Sequence, residues 1–215
     1  MNWTVINKNL TERPNSVNEY RDYKPYLRRE ANEKCVYCAI GENPIGGYDH
    51  FHVEHFRPKS LAQFTHLLND FENLFYACAI CNRFKSNDWP NDPVSDHSII
   101  SYPDPKDIDY NILFESQENG LLEGRYVASK YVVERLNLNR PQLINERREK
   151  LMRDKISGLI LKIQSIKKTI SEHETTPEIS KIISSLLDKT LEIVTLLNNE
   201  KEIARYEPSE IRRQN

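Results

Sequence analysis

The sequence lacks a long hydrophobic run, and both glycine and cysteine are scarce in it. No apolar segment approaches the roughly 18 residues that a membrane-spanning helix needs, and residues 1–15 lack the apolar stretch of a signal peptide. These absences predict a soluble, cytoplasmic protein without a membrane partner. The 30 basic and 32 acidic residues nearly cancel, which argues against a protein that coats nucleic acid through its bulk charge.

Cysteine occurs only four times, and the four residues form two C-x2-C pairs. They are Cys35 and Cys38, then Cys78 and Cys81. In a reducing cytosol, two such pairs are more typical of tetrahedral zinc than of disulfides. The alternatives are a redox-active pair or ordinary buried thiols, but a redox motif would occur once and would open a helix after a strand. We expect one structural zinc ion at the base of the 39-residue insert between the pairs.

The periodicity of the chain predicts an α+β fold in three parts. Residues 1–34 form a helical lead-in, residues 35–127 a zinc-bound core with a small β extension, and residues 128–215 a helical C-terminal region. The lead-in contains a helix from Glu19 to Lys34. The core contains a short strand at Phe51–Phe56 and a second short strand or turn near Leu74–Tyr76. It also contains a short helix at Cys81–Asn87 and a small sheet or hairpin built from Ile99–Tyr102 and Tyr110–Phe114.

Two heptad-like patterns fill the C-terminal region. Apolar residues follow alternating steps of four and three from Met152 to Ile170 and again from Ile179 to Leu197, which predicts two helices. Between them, Thr175 can form a capping box with Glu178. We expect a helical hairpin that packs on itself or on the core. A docking or dimerisation surface is the alternative, and the two interpretations are compatible.

Opposite charges are segregated along the chain. Residues 88–123 contain nine acids and a single base, so this segment is not a nucleic-acid surface. Residues 146–170 contain eight bases and three acids. Such a bias is usually a solvated helix face, although it can also hold a phosphate backbone.

The residues suited to catalysis lie in the insert between the cysteine pairs and directly after the second pair. Neutral His55 can act as a general base, and the adjacent Glu54 offers a carboxylate suited to Mg²⁺, with Asn82 as a further oxygen donor. The positive charges close to them in sequence are Arg57, Lys59, Arg83 and Lys85. A general base, a hard cation and phosphate-binding charges are the requirements for phosphodiester hydrolysis.

Each of these residues also has a structural interpretation. His55 can be a packed strand histidine, and Arg57 and Lys59 can be solvated loop charges. Asn73 and Asn82 can simply cap turns. No single one of these residues is specific for phosphodiester hydrolysis. Their ordered occurrence around two cysteine pairs is specific.

This order of residues resembles that of the HNH endonucleases, whose site is a ββα-metal hairpin and helix. The matching series is Cys35-x2-Cys38, Glu54-His55-x-x-Pro58, Asn73-Leu74 and Cys78-x2-Cys81-Asn82-x-x-Lys85. The resemblance implies that residues 35–127 hold an HNH nuclease core, with His55 as the general base. Glu54 would take the place that an aspartate metal ligand usually holds, and Asn82 would be the second residue beside a Mg²⁺ or Mn²⁺ ion. Asn73 would hold the hairpin loop, and Lys85 would contact phosphate.

Within this superfamily the chain looks most like PtuB, the HNH effector of Septu and retron-linked anti-phage systems. The closer similarity lies in Glu-His-Phe-Arg-Pro-Lys-Ser at 54–60, Leu-Asn-Leu-Asn-Arg at 136–140, and Arg147-Arg148. It implies an ABC-type ATPase partner like PtuA. This sequence has no P-loop, so nucleotide use would have to come from elsewhere. A retron reverse transcriptase with its nucleic acid and a homodimer within a larger complex are further implied partners.

The sequence therefore predicts a metal-dependent endonuclease that cuts nucleic acid for anti-phage defence. DNA is the favoured substrate, and structured RNA such as tRNA is the other. The alternative is a non-catalytic module with zinc, which binds nucleic acid or acts as an adaptor for the ATPase.

Overall fold

Four short helices, one helix of 32 residues and two small antiparallel sheets are the main elements of the described residues. The computed structural model describes residues 2–9, 13, 19–172, 178–179, 181–183, 185–190 and 192–193. The helices are α1 (Lys24–Glu30), α2 (Ala79–Lys85), α3 (Tyr110–Leu113), α4 (Val127–Arg135) and α5 (Pro141–Glu172). The strands are β1 (Phe51–His55), β2 (Leu74–Cys78), β3 (Phe114–Ser116) and β4 (Leu122–Gly124). The mixture of helices and small sheets agrees with the predicted α+β class.

The chain divides into two compact units between Arg148 and Glu149. The elements of the predicted core, β1 to β4, lie in the first unit, and so does α4 from the predicted C-terminal region. The three-part division at residues 34 and 127 stays a prediction. Within the described residues, no helix is both long and apolar enough to span a bilayer.

A β-hairpin followed by a helix forms the centre of the first unit. Strands β1 and β2 pair antiparallel, with Glu54 opposite Phe75 and His55 opposite Leu74. Every residue of β2 is buried, and α2 packs against both strands. The two predicted strands are confirmed. Helix α2 begins before the predicted Cys81, because the Cys78 sulfur accepts the N–H of Cys81 and caps the first turn.

The N-terminal helix is shorter than the sequence predicts. A 3₁₀ turn at Tyr20–Tyr23 leads into α1, whose first turn accommodates Pro25 because the first N–H groups of a helix need no intrahelical acceptor. The helix ends at Glu30 instead of Lys34. Asn32 and Glu33 adopt left-handed φ angles of 50° and 59°, which cannot continue an α-helix.

The N-terminal segment is tied to the hairpin through a buried lysine. Lys8 Nζ donates to a Glu30 carboxylate oxygen at 2.7 Å and to the Leu74 carbonyl at 2.6 Å. It also lies over the rings of Phe71 and Phe75. Since Leu74 pairs with His55, this contact supports the end of the strand that carries the histidine.

The acidic segment forms a hairpin at a different place from the predicted one. Residues 110–113 form the helical turn α3 instead of a strand, because the Asp109 carboxylate accepts the N–H of Asn111 and caps it. Residues 99–102 lie outside any strand. The observed hairpin pairs β3 with β4, in the register Phe114 opposite Gly124.

In the C-terminal region, α5 confirms the first predicted heptad helix and extends it towards the N-terminus. The described residues after position 177 are helical, which agrees with the second predicted helix. Thr175, on which the predicted capping box depends, lies outside the described residues. The packing of the two helices as a hairpin stays a prediction.

Gly124 provides a test of how α4 packs on β4. A Cβ atom at this position would lie 2.3–2.7 Å from backbone atoms of Ser129 and Lys130, whereas a Cβ at Gly41 would meet nothing within 4 Å. We expect Gly124→Ala to lower the free energy of unfolding by about 1–3 kcal/mol. Gly41→Ala is the matched control and should stay close to the wild type. Equal stability of both variants in denaturant titrations would contradict the close approach.

Candidate active site and zinc centre

The four cysteines meet in one buried cluster. Their Sγ atoms all lie within 4.8 Å of one another, and each side chain is at most 1% exposed. The Cys38 and Cys78 sulfurs are 3.8 Å apart, and none of the four forms a disulfide. Tetrahedral zinc with Zn–S bonds of about 2.3 Å separates its sulfurs by about 3.8 Å. The cluster therefore fits a structural zinc ion in both donor type and spacing.

The cluster joins a tight turn to the β2–α2 junction. In the turn, Cys35 N–H donates to the Ile40 carbonyl, and Ala39 N–H donates to the Cys35 carbonyl. The turn is fixed to β2 because Val36 N–H donates to the Tyr76 carbonyl at 2.9 Å. The other two sulfurs belong to the last residue of β2 and to the first turn of α2. Zinc would thus fix α2 relative to the hairpin.

His55 lies at the end of β1 with one ring nitrogen occupied. Its Nε2 is 2.9 Å from the carbonyl oxygen of Leu68. Because a carbonyl only accepts hydrogen bonds, Nε2 carries the proton, and Nδ1 of the neutral ring keeps its lone pair. Burial lowers the pKa of His55, which favours the neutral ring at pH 7. Nδ1 is therefore available as a proton acceptor.

Glu54 is buried beside a buried lysine. Lys85 Nζ lies 2.8 Å from Glu54 Oε1 and donates to the His55 carbonyl at 3.0 Å. The Tyr37 hydroxyl donates to the same Oε1. Burial raises the pKa of Glu54, and the nearby Lys85 charge opposes this shift. Lys85 thus holds both the side-chain carboxylate of Glu54 and the backbone carbonyl of His55.

The position of Lys85 differs from the expectation that it contacts phosphate. Its side chain has no exposed surface, and its ammonium faces Glu54 and the ring of Tyr102. A lysine at the C-terminal end of a short helix looks accessible in sequence. It is buried here because Tyr102, far along the chain, packs over it.

Asn73 fixes the loop that follows β1. Its Oδ1 accepts the N–H of Arg57 at 2.8 Å, and its Nδ2 donates to the Arg57 carbonyl at 3.1 Å. The Asn73 carbonyl also accepts the N–H of Phe56. The side chain is 3% exposed. Through these bonds Asn73 holds the two residues that follow His55.

A cavity of about 650 Å³ opens beside these residues. The predicted residues on its wall are Glu54, His55, Lys59 and Asn82. Its volume lies in the range of small-molecule sites. The cavity therefore brings together His55, the proposed base, and Glu54 and Asn82, the two residues proposed to hold the metal. Of the four proposed phosphate contacts, only Lys59 lines it.

The other two basic residues lie off the cavity wall. Arg57 Nε is 3.9 Å from an Asp92 carboxylate oxygen, and its guanidinium lies over the Trp89 ring. Arg83 is exposed on α2. Lys59 therefore lines the cavity, whereas Arg57 and Arg83 do not.

The N-terminal segment supplies wall residues that the sequence analysis missed. They are Tyr20, Arg21 and Lys24. The Tyr20 ring packs edge-on against the His55 ring at 4.7 Å, and its hydroxyl accepts from Lys59 Nζ at 2.7 Å. The alternation of aromatic and basic residues in Tyr-Arg-Asp-Tyr-Lys was the available signal. Its relation to His55 is a long-range contact that no local pattern shows.

The segment that contains these residues was compared with models of known protein families. Residues 35–88 match a family model described as HNH endonuclease. The matched segment runs from the first cysteine through α2, and it supports membership of this segment in the HNH superfamily. No curated protein matches the chain at a significant level.

The role of Asn73 can be tested by stability measurements. Asn73→Ala leaves the N–H and carbonyl of Arg57 without their partners, so we expect a loss of about 1–3 kcal/mol in the free energy of unfolding. Asn73→Asp keeps an acceptor for the N–H and should lose less. Asn43→Ala, at an exposed position, is the control and should unfold like the wild type in urea. Wild-type stability of Asn73→Ala would show that this side chain does not hold the loop.

Proposed function

We propose that the protein is a metal-dependent endonuclease that hydrolyses phosphodiester bonds in nucleic acid. The observation that carries the proposal is the position of His55 on a cavity wall shared with Glu54 and Asn82, with its Nε2 held 2.9 Å from the Leu68 carbonyl. The segment that holds these residues matches the HNH endonuclease model. The family name suggests nuclease activity and nucleic-acid binding, and the site has a suitable base for this reaction.

In the proposed reaction His55 is the general base. Its Nδ1 accepts a proton from a water molecule, and the water oxygen forms a bond to phosphorus while the bond from phosphorus to the 3′ oxygen breaks. The products carry a 5′ phosphate and a 3′ hydroxyl, and the leaving oxygen takes its proton from solvent. The Leu68 carbonyl holds the Nε2 proton, which keeps Nδ1 directed to act as the acceptor.

Glu54 and Asn82 would hold a Mg²⁺ or Mn²⁺ ion. Both residues line the cavity, although the Glu54 carboxylate is buried and Lys85 and Tyr37 contact its Oε1. One carboxylate and one amide oxygen form a donor set suited to Mg²⁺, which takes its remaining ligands from phosphate and water. The ion supplies Lewis-acid stabilisation of the negative charge on the phosphate and on the leaving oxygen. Lys85 orients Glu54 from the buried side.

The basic residues of the wall would receive the nucleic-acid backbone. Lys59, Arg21 and Lys24 lie on the wall with His55, so a phosphate in the cavity would meet positive charge close to the base. Arg57 and Arg83, which lie off the wall, would contact phosphates further along the strand. Tyr20 offers an aromatic surface beside the His55 ring.

The biological role that we propose is that of a cytoplasmic nuclease effector similar to PtuB in anti-phage defence. The support comes from the sequence motifs at 54–60 and 136–140. The proposed partners are an ABC-type ATPase like PtuA, a retron reverse transcriptase with its nucleic acid, and a second copy of the chain. DNA is the proposed substrate, with structured RNA as the other. A non-catalytic nucleic-acid-binding or ATPase-adaptor module is the competing function.

The experiment compares two histidine variants in the full chain, assayed with and without an ABC-type ATPase of the proposed PtuA-like kind, in Mg²⁺ or Mn²⁺. His55→Ala should slow cleavage at least about 100-fold, because it removes the general base. His66→Ala, which changes an exposed histidine off the cavity wall, should cleave like the wild type. Undiminished cleavage by His55→Ala would overturn the mechanism. Wild-type binding of nucleic acid without any cut product would favour the non-catalytic module.

A further inference from the structure

The motif Leu-Asn-Leu-Asn-Arg at 136–140 places an arginine against the cysteine cluster. Arg140 Nη2 lies 3.6 Å from the Cys38 sulfur, 3.9 Å from Cys78 and 3.8 Å from Cys81. Its Nη1 lies 3.8 Å from the Cys81 sulfur. The guanidinium is therefore within hydrogen-bonding distance of three of the four sulfurs, 59 or more residues away in sequence.

The charge of the site explains why an arginine is needed there. Four thiolates and one Zn²⁺ carry a net charge of −2, and burying an uncompensated charge costs several kcal/mol. Arg140 is 8% exposed and brings one positive charge to the sulfurs. Among the described residues, no carboxylate lies within 4.0 Å of its guanidinium to neutralise that charge instead. The cysteine sulfurs are therefore the groups that would balance the positive charge of Arg140.

The backbone around Arg140 directs its side chain to the cluster. Nη1 also approaches the carbonyls of Leu136 and Asn137, at 3.3 and 3.4 Å, and Asn137 takes a left-handed φ of 47° at the end of α4. Nε is buried without a hydrogen-bond partner. The polar contacts of the guanidinium are thus concentrated at its two terminal nitrogens, which face the sulfurs.

We propose that Arg140 is a positioning residue of the zinc site, which donates hydrogen bonds to the thiolates of Cys38, Cys78 and Cys81. Donors of this kind withdraw electron density from sulfur and hold the ligands in place, and their loss usually costs 10–100-fold in metal affinity. The same contact fastens the start of α5 to the cluster. The proposal concerns zinc binding, and it holds whether or not the protein cleaves nucleic acid.

The test uses the full chain and two readouts that do not involve nuclease activity. The zinc dissociation constant is measured by competition with a chromophoric chelator, and the thiolate-to-metal charge-transfer band is recorded after Co²⁺ substitution. Arg140→Gln should weaken zinc binding about 10–100-fold and shift the cobalt band. Arg140→Lys keeps the charge without the planar fork, so it should lose less affinity and still shift the band.

Arg147→Gln is the matched control. Arg147 is also a buried arginine at the start of α5, but its hydrogen bonds go to the carbonyls of Gly120 and Leu138 and to the Asn139 side chain. Its loss should leave zinc affinity within about threefold of the wild type, well short of the factor expected for an outer-shell contact.

Three results would overturn the proposal. The first is an Arg140→Gln protein with wild-type zinc affinity and an unshifted cobalt band. The second is an equal loss of affinity in Arg147→Gln, which would assign the effect to the fold. The third is a wild-type protein that binds no zinc. If Arg140→Gln does not fold, Arg140→Lys decides by the same two measurements.

Discussion

The convergence of four cysteine sulfurs is the constraint on which the rest of the site depends. The cluster joins the Cys35–Cys38 turn, the last residue of β2 and the first turn of α2. Those are the elements that place Asn82 and Lys85 beside β1. Because β1 and β2 form a two-stranded sheet, which is marginally stable by itself, zinc would supply the rigidity that this short hairpin lacks.

Two buried polar side chains, Lys85 and Asn73, hold the backbone around His55. Lys85, at the end of α2, holds both the Glu54 carboxylate and the His55 carbonyl. Asn73, the residue before β2, holds the loop beyond His55. The ring itself is then oriented by the Leu68 carbonyl and the edge of Tyr20. Each contact comes from a different segment, so the geometry of the histidine depends on the whole first unit.

Sequence reasoning predicted what depends on local spacing. The C-x2-C pairs, the strand that carries His55 and the helix that carries Asn82 all follow from residues close together in the chain. It missed the burial of Lys85 and the packing of Tyr20 against His55, because both depend on long-range contacts. It also missed the helical turn α3, which depends on a single cap at Asp109. The contact of Arg140 with the sulfurs is of the same long-range kind.

The central claim is that zinc bound at the cysteine cluster would fix the His55 ring with its proton on Nε2. The most direct measurement is the ¹⁵N chemical shifts of the His55 ring in the full chain, with zinc, after zinc removal and after zinc is added back. His55→Gln assigns the signals. The account predicts a ring protonated at Nε2 in the zinc-loaded protein, a loss of that tautomeric preference without zinc, and its return with the metal. A ring protonated at Nδ1, or a tautomer that does not respond to zinc, would contradict it.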